Sequence, residues 1–284
     1  MQDGCNGLSR RKFIKATGLA VTWALVPSRA FGRTFEGENL QVWSCGGLAE
    51  AFVPANKHYE EITGCNIAYT GAFAAALGKS LLANAKTEVF GPRVLALAKK
   101  LKAHGKMLNF RPLCFTRYVL ITPKGNPAGI EGVEDLAKPG VRVLLSPNSS
   151  PPGGKAAMVV LKKAGVLEGA QKNAIRLGDC VQREVASIAN GKADVSIVEY
   201  RITRLTQLKG KFGVIDIPER FFPPPPIPFT IGIMKWAKNM ELAEDFVKFI
   251  TSEKGQSFFE KAGFIPALSE EGQRLTKKYG VKDA

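Results

Sequence analysis

VRVLLSPNSSPPGGKAAMVVLKKAG, residues 141–165, changes character twice, and those two changes decide the fold class. Val141, Val143, Leu144 and Leu145 form a short apolar run rich in β-branched residues, the pattern of a buried strand. Ser146 to Gly154 is built from Ser, Asn, Pro and Gly and reads as a loop. From Lys155 the apolar residues Ala157, Val160, Leu161 and Ala164 recur at helical spacing, and Gly165 stands where a helix C-cap stands. A strand that runs through a glycine-rich loop into a helix aims unpaired backbone N–H groups and a positive dipole end into one crevice. Such a crevice suits an anion.

The rest of the chain repeats the alternation. Leu40–Ser44 reads as a first strand ending in Cys45-Gly46-Gly47, and 48–62 as a helix with Ala51, Phe52, Ala55 and Tyr59 on one face. A strand at 65–70, a helix from Ala74 to Ala83, a short strand at 88–90 and a basic helix at 94–104 follow. Strand–helix–strand–helix–strand predicts a parallel sheet for this part. Leu113–Pro123 (LCFTRYVLITP) reads as the longest single strand. Beyond the opening stretch come a strand at 175–177, a helix at 182–190 stopped by Gly191, a buried strand at 193–198 carrying Glu199-Tyr200-Arg201 at its end, and a strand at 212–217. Pro223 to Pro226 is a stiff extended segment, read as a crossover. After it, a strand at 229–234 and two amphipathic helices, 241–250 and 253–262, return to the first part.

The chain of 284 residues can bury a sizeable core, and its 45% hydrophobic and 23% charged content is ordinary for a globular protein. Its charge of +15 is not ordinary. Residues 1–30 hold five basic side chains and one acid, so their removal leaves about +11. Ser9-Arg10-Arg11-Lys12-Phe13-Ile14-Lys15, an apolar stretch, then Ser28 and Ala30 form an export signal of the twin-arginine pattern, with a basic-start general signal as the alternative. The mature protein is then periplasmic. Without an aromatic-interleaved basic stripe or a nucleic-acid module, the basic excess points away from nucleic acid and toward an anion. Five cysteines without a CxxC and only two histidines, His58 and His104, argue against a resident metal. Loss of Cys5 with the leader leaves Cys45, Cys65, Cys114 and Cys180, whose pairing the sequence does not give.

Several motifs occur together, in order: Val42-Trp43-Ser44-Cys45-Gly46-Gly47-Leu48, Gly71-Ala72-Phe73-Ala74, Tyr118 to Pro127, Asp135 to Val141, Pro152-Gly153-Gly154-Lys155, Gly191 to Val195, and Gly263-Phe264-Ile265-Pro266. In these the chain resembles the molybdate- and tungstate-binding proteins of ABC importers, within the type II periplasmic solute-binding proteins, over about Leu40–Leu268. The resemblance implies an α/β fold of two Rossmann-like lobes joined by crossover strands: 31–116 with 226–284, and 117–225. It implies a monomer that captures a tetrahedral oxyanion and hands it to a membrane permease, with no cofactor and no catalytic residue. Carried over by position, the ligand contacts fall at Gly47, Ala74, Gly153, Val181 and Glu199, with Ser44, Cys45 and Arg201 behind them. Gly47 and Ala74 stand where the family commonly has Ser, so they offer backbone N–H alone. Glu199 departs from a usual Tyr; as a carboxylate it would ligate the oxyanion's metal, pair with Arg201, or repel a dianion. The same fold holding another small anion, or an exported thiol protein using Cys45 and Cys180, are the alternatives.

Overall fold

The computed structural model describes residues 34–149, 153–177, 181–222 and 227–283. Eleven strands and nine α-helices among them form two sheets. In the first lobe, β1 (Asn39–Cys45) lies between β2 (Asn66–Ala72) and β3 (Val89–Gly91), parallel to both. Helix α1 (Ala49–Thr63) links β1 to β2, α2 (Ala74–Ala83) links β2 to β3, and α3 (Leu95–Ala103) follows β3. Side chains from α1 follow the helical period into the core: Ala51, Phe52, Ala55 and Tyr59 are buried. Gly64 then closes the helix at φ 79°.

This sheet is mixed, not parallel throughout as its first half predicts. β4 (Met107–Phe115), β10 (Pro228–Met234) and β11 (Ile265–Pro266) join it, and β10 runs antiparallel to β3 and β4. Leu113–Pro123 is likewise two strands. Residues 107–115 form β4, Thr116-Arg117 leave the first sheet, and β5 (Tyr118–Pro123) enters the second. Apolar content continues across the break because both sheets bury their faces there; every residue of β5 is buried.

The second sheet has the order β7-β6-β8-β5-β9. β6 (Val143–Leu145) is parallel to β7 (Ala174–Leu177) and to β8 (Val195–Glu199), whereas β5 is antiparallel to β8 and to β9 (Phe212–Asp216). Helix α4 (Gly153–Lys163) packs on β8, α5 (Leu167–Lys172) lies beside it, and α6 (Val181–Ala189) packs on β5 and β8. Thus α4 begins two residues earlier than the periodicity of its apolar face implies. Gly154 explains why. A Cβ there would stand 2.5 Å from the Ser146 carbonyl and 2.6 Å from that of Pro147, so only glycine lets the incoming loop lie on the first turn.

From β9 the chain returns through 217–227 to β10. Thr116 N–H donates to the Ile227 carbonyl at 3.3 Å, tying the two crossovers together. Helices α7 (Met240–Ile250) and α8 (Glu253–Lys261) pack against α1, as the returning amphipathic pattern predicts, and α9 (Glu270–Tyr279) packs on β4 and β11. No helix of the described residues is long and apolar enough to cross a membrane. The export signal at 1–30 and the proline run at 223–226 lie outside the described residues.

Candidate functional site

Parallel strands put their carboxyl ends on one edge of a sheet, and in α/β folds that edge is where ligands sit. In the first lobe this edge is set by Cys45, Ala72 and Gly91, which end β1, β2 and β3. Just beyond it come Gly47, in the 3-10 turn 46–48 that leads into α1, and Ala74, the first residue of α2. Arg93 is two residues past Gly91. In the second lobe the edge is set by Leu145, Leu177 and Glu199. Gly153 and Val181 are the first residues of α4 and α6. First-turn N–H groups have no partner within their own helix, so these starts are donors. Ala74 is buried.

Glu199 is where the two edges meet. Its Oε1 accepts from Arg93 Nη2 and its Oε2 from Arg201 Nε at 2.7 Å, the first arginine coming from the first lobe and the second from its own. Arg201 reaches back across: its Nη1 lies 3.4 Å from Glu50 Oε1, in the first turn of α1. Its guanidinium also lies 3.3 Å from where a Cβ on Gly47 would stand, so the missing side chain there is filled by an arginine. Of the three readings of Glu199, the pairing with Arg201 is the one formed, and not on a continued strand. β8 stops at Glu199, and a 3-10 turn over 200–204 swings Arg201 back onto the carboxylate.

These charges are deeply placed. Arg93, Glu199 and Arg201 side chains are 9%, 7% and 13% exposed. Burial pushes the Glu199 carboxyl up, but the Arg93 and Arg201 guanidiniums outweigh it and hold the group at about 2. Burial weakens each arginine's charge and Glu199 more than restores it, so both stay cationic. With both oxygens engaged by guanidiniums, Glu199 fixes two cations in place and is not disposed to ligate a metal centre. Beside it in the β5–β8 register stands Tyr118, whose phenol is pushed up by burial and then by Glu199, and so stays a neutral donor. Arg93 Nε and the Tyr118 hydroxyl are buried without a hydrogen-bond partner.

The model of the bacterial extracellular solute-binding proteins matches residues 40–265. The chain belongs to that family. This solute-binding protein is 22% identical over 243 residues to the molybdate-binding protein ModA of Mycobacterium tuberculosis, covering 82% of this chain and 87% of that one. It shares its fold with a Clostridium difficile substrate binding domain ascribed to a molybdenum ABC transporter (TM-score 0.70, 22% identity, 81% of this chain and 99% of that one). It shares it also with the periplasmic molybdate-binding protein of Azotobacter vinelandii (TM-score 0.62, 20% identity, 80% and 98%). The two-lobe fold implied by the motifs is thereby the fold of this solute-binding protein.

Ser44 is spent inside the protein: its hydroxyl donates to the Cys45 carbonyl at 3.0 Å and lies 2.7 Å from the Tyr69 hydroxyl. Cys45, Cys65 and Cys114 are buried free thiols, with no disulfide among them; Cys180 lies outside the described residues. Among the described residues no group of three His, Cys, Asp or Glu side chains could hold a metal ion. Arg93 and Glu50 escaped the sequence reading. The one signal for Arg93 was its place in Gly91-Pro92-Arg93, a turn directly after a buried strand. Nothing in sequence joins position 93 to position 199.

Proposed function

We propose that this chain is the exported receptor of an ABC importer and captures a small oxyanion between its two lobes, 31–116 with 226–284 and 117–225. It works as a monomer without catalysis and gives its cargo to a membrane permease. The carrying observation is the cluster of Arg93, Glu199 and Arg201 against Gly47, which places two buried cations of fixed orientation at the meeting of the carboxyl edges. Four helix starts, before α1 and at Ala74, Gly153 and Val181, add backbone donors around it. The twin-arginine leader agrees with delivery of a folded receptor to the periplasm.

Molybdate and tungstate head the panel of ligands to titrate, because the motif resemblance and the relatives both point to that class. The test is calorimetric titration of the mature protein, 31–284, with molybdate, tungstate, sulfate and phosphate. At least one is expected to bind with micromolar or tighter affinity, and Gly153→Asp, which brings a carboxylate to the start of α4, is expected to abolish that binding in a folded protein. Absence of heat with all four ends the oxyanion reading.

A further inference from the structure

The polar atoms left over in this site are not all donors. Arg93 Nε and the Tyr118 hydroxyl are buried and unpartnered. Arg201 bonds to Glu199 through Nε and to Glu50 through Nη1, and its Nη2 lies beside Gly47. The two guanidinium nitrogens can only donate, and the Tyr118 hydroxyl can donate beside them. Glu50 Oε2, however, is also buried and unpartnered, while its other oxygen faces Arg201. An ionised carboxylate can only accept. A cargo of bare oxygens would satisfy the arginines and turn a lone pair toward Glu50, leaving a charged acceptor unmet inside the protein.

We propose that the cargo is an oxyanion that carries its own hydroxyl, of the hydrogen phosphate kind, and that Glu50 accepts its proton while Arg93, Arg201 and Tyr118 donate to its ionised oxygens. This rests on the oxyanion reading of the cleft and names the ligand class within it. The charge balance agrees. Arg93 and Arg201 are matched by Glu199 and Glu50, so the four side chains supply no net attraction for a dianion. Selection therefore falls to the pattern of donors and acceptors. A tetrahedral anion with one acidic hydrogen fits that pattern; sulfate and molybdate, fully ionised at neutral pH, do not.

Phosphate and sulfate are close in shape and differ in that proton, so they are the probes. Titration at neutral pH should show phosphate binding the wild-type protein about tenfold or more tightly than sulfate or molybdate, since a site built for a hydroxyl rejects the analogue lacking it. Glu50→Gln presents an N–H where the acceptor was. It should weaken phosphate, strengthen sulfate and molybdate, and lower the phosphate-to-sulfate preference about tenfold or more. Glu50→Asp, which keeps the carboxylate but withdraws it, should weaken phosphate without helping sulfate; it stands in if the Gln variant does not fold. Tight molybdate or sulfate binding that is indifferent to Glu50 would overturn the proton reading and leave the oxyanion reading intact. Failure of the wild-type protein to bind any of these three or tungstate would overturn both.

Discussion

Glu199 has one buried guanidinium on each carboxylate oxygen, and removing one member of such a group leaves the others uncompensated. Glu199→Gln keeps the shape but removes the counter-charge of Arg93 and leaves Arg201 with Glu50 alone. The expected loss is about 3–5 kcal/mol in urea unfolding at neutral pH. The pH dependence follows in sign. The folded carboxyl titrates at about 2 against an ordinary 4.5, so the unfolded chain takes up the proton first as pH falls. The stability difference between wild type and Glu199→Gln should be constant above about pH 4.5 and shrink as pH approaches 2. A difference that grows on acidification would mean that the carboxylate is not held by the arginines. The sequence allowed Glu199 to be seen as an anomaly, since a lone acid after a buried strand in a basic chain is visible. That two arginines neutralise it was not visible, because Arg93 stands 106 positions away.

At the level of elements, the 3-10 turn that carries Arg201 is held from outside by the other lobe. Gly263, between α8 and β11, has φ 88°, and a Cβ on it would stand 2.9 Å from Arg201 Cα and 3.2 Å from Arg201 N. The motif Gly263-Phe264-Ile265-Pro266 was legible as a family ending; its reason is that backbone must pass close to backbone at this junction. Gly263→Ala adds left-handed strain and overpacks the turn, with a combined expected cost of about 1–3 kcal/mol. Because the atoms it would push belong to Arg201, ligand affinity should fall as well. Urea unfolding and titration of the same variant check both; a stability loss with unchanged affinity would separate the turn from the site. Strands and helices were largely readable from period and punctuation, with Gly165 and Gly191 following helix ends where expected. The failure at Leu113–Pro123 has a physical cause. The chain changes sheets at Thr116-Arg117 with neither Gly nor Pro, in a stretch whose two halves are both buried, so neither composition nor alternation marks the corner.

For the whole molecule, any relative motion of the lobes would be taken up where the chain passes between them, which among the described residues is at Thr116-Arg117 and at 217–222 with Ile227. The second is braced from the C-terminus. Glu219 accepts from Arg274 Nη2 at 2.7 Å, from Lys278 Nζ at 2.7 Å and from the Tyr279 hydroxyl at 2.9 Å, all on α9, which itself packs on β4 and β11 of the first lobe. Hydrogen bonding by Lys278 leads the effects that hold the Glu219 carboxyl at about 2. A cavity of about 200 Å³ lies between Thr116, Tyr118, Ile217, Phe222 and Leu275, so this brace spans loosely filled space where closure would need room. The pairs are half exposed on the cationic side, and such pairs are screened by solvent. Glu219→Gln should therefore leave global unfolding nearly unchanged and act locally. Amide hydrogens of 270–279 are expected to exchange faster, in wild type as salt is raised and in the variant at any salt. Ligand release should quicken in the variant, because a freed second crossover lowers the resistance to opening. Unaltered exchange in α9 together with unaltered release would show that the brace is ornamental to the hinge, whereas faster exchange alone would confine its role to anchoring the C-terminal helix.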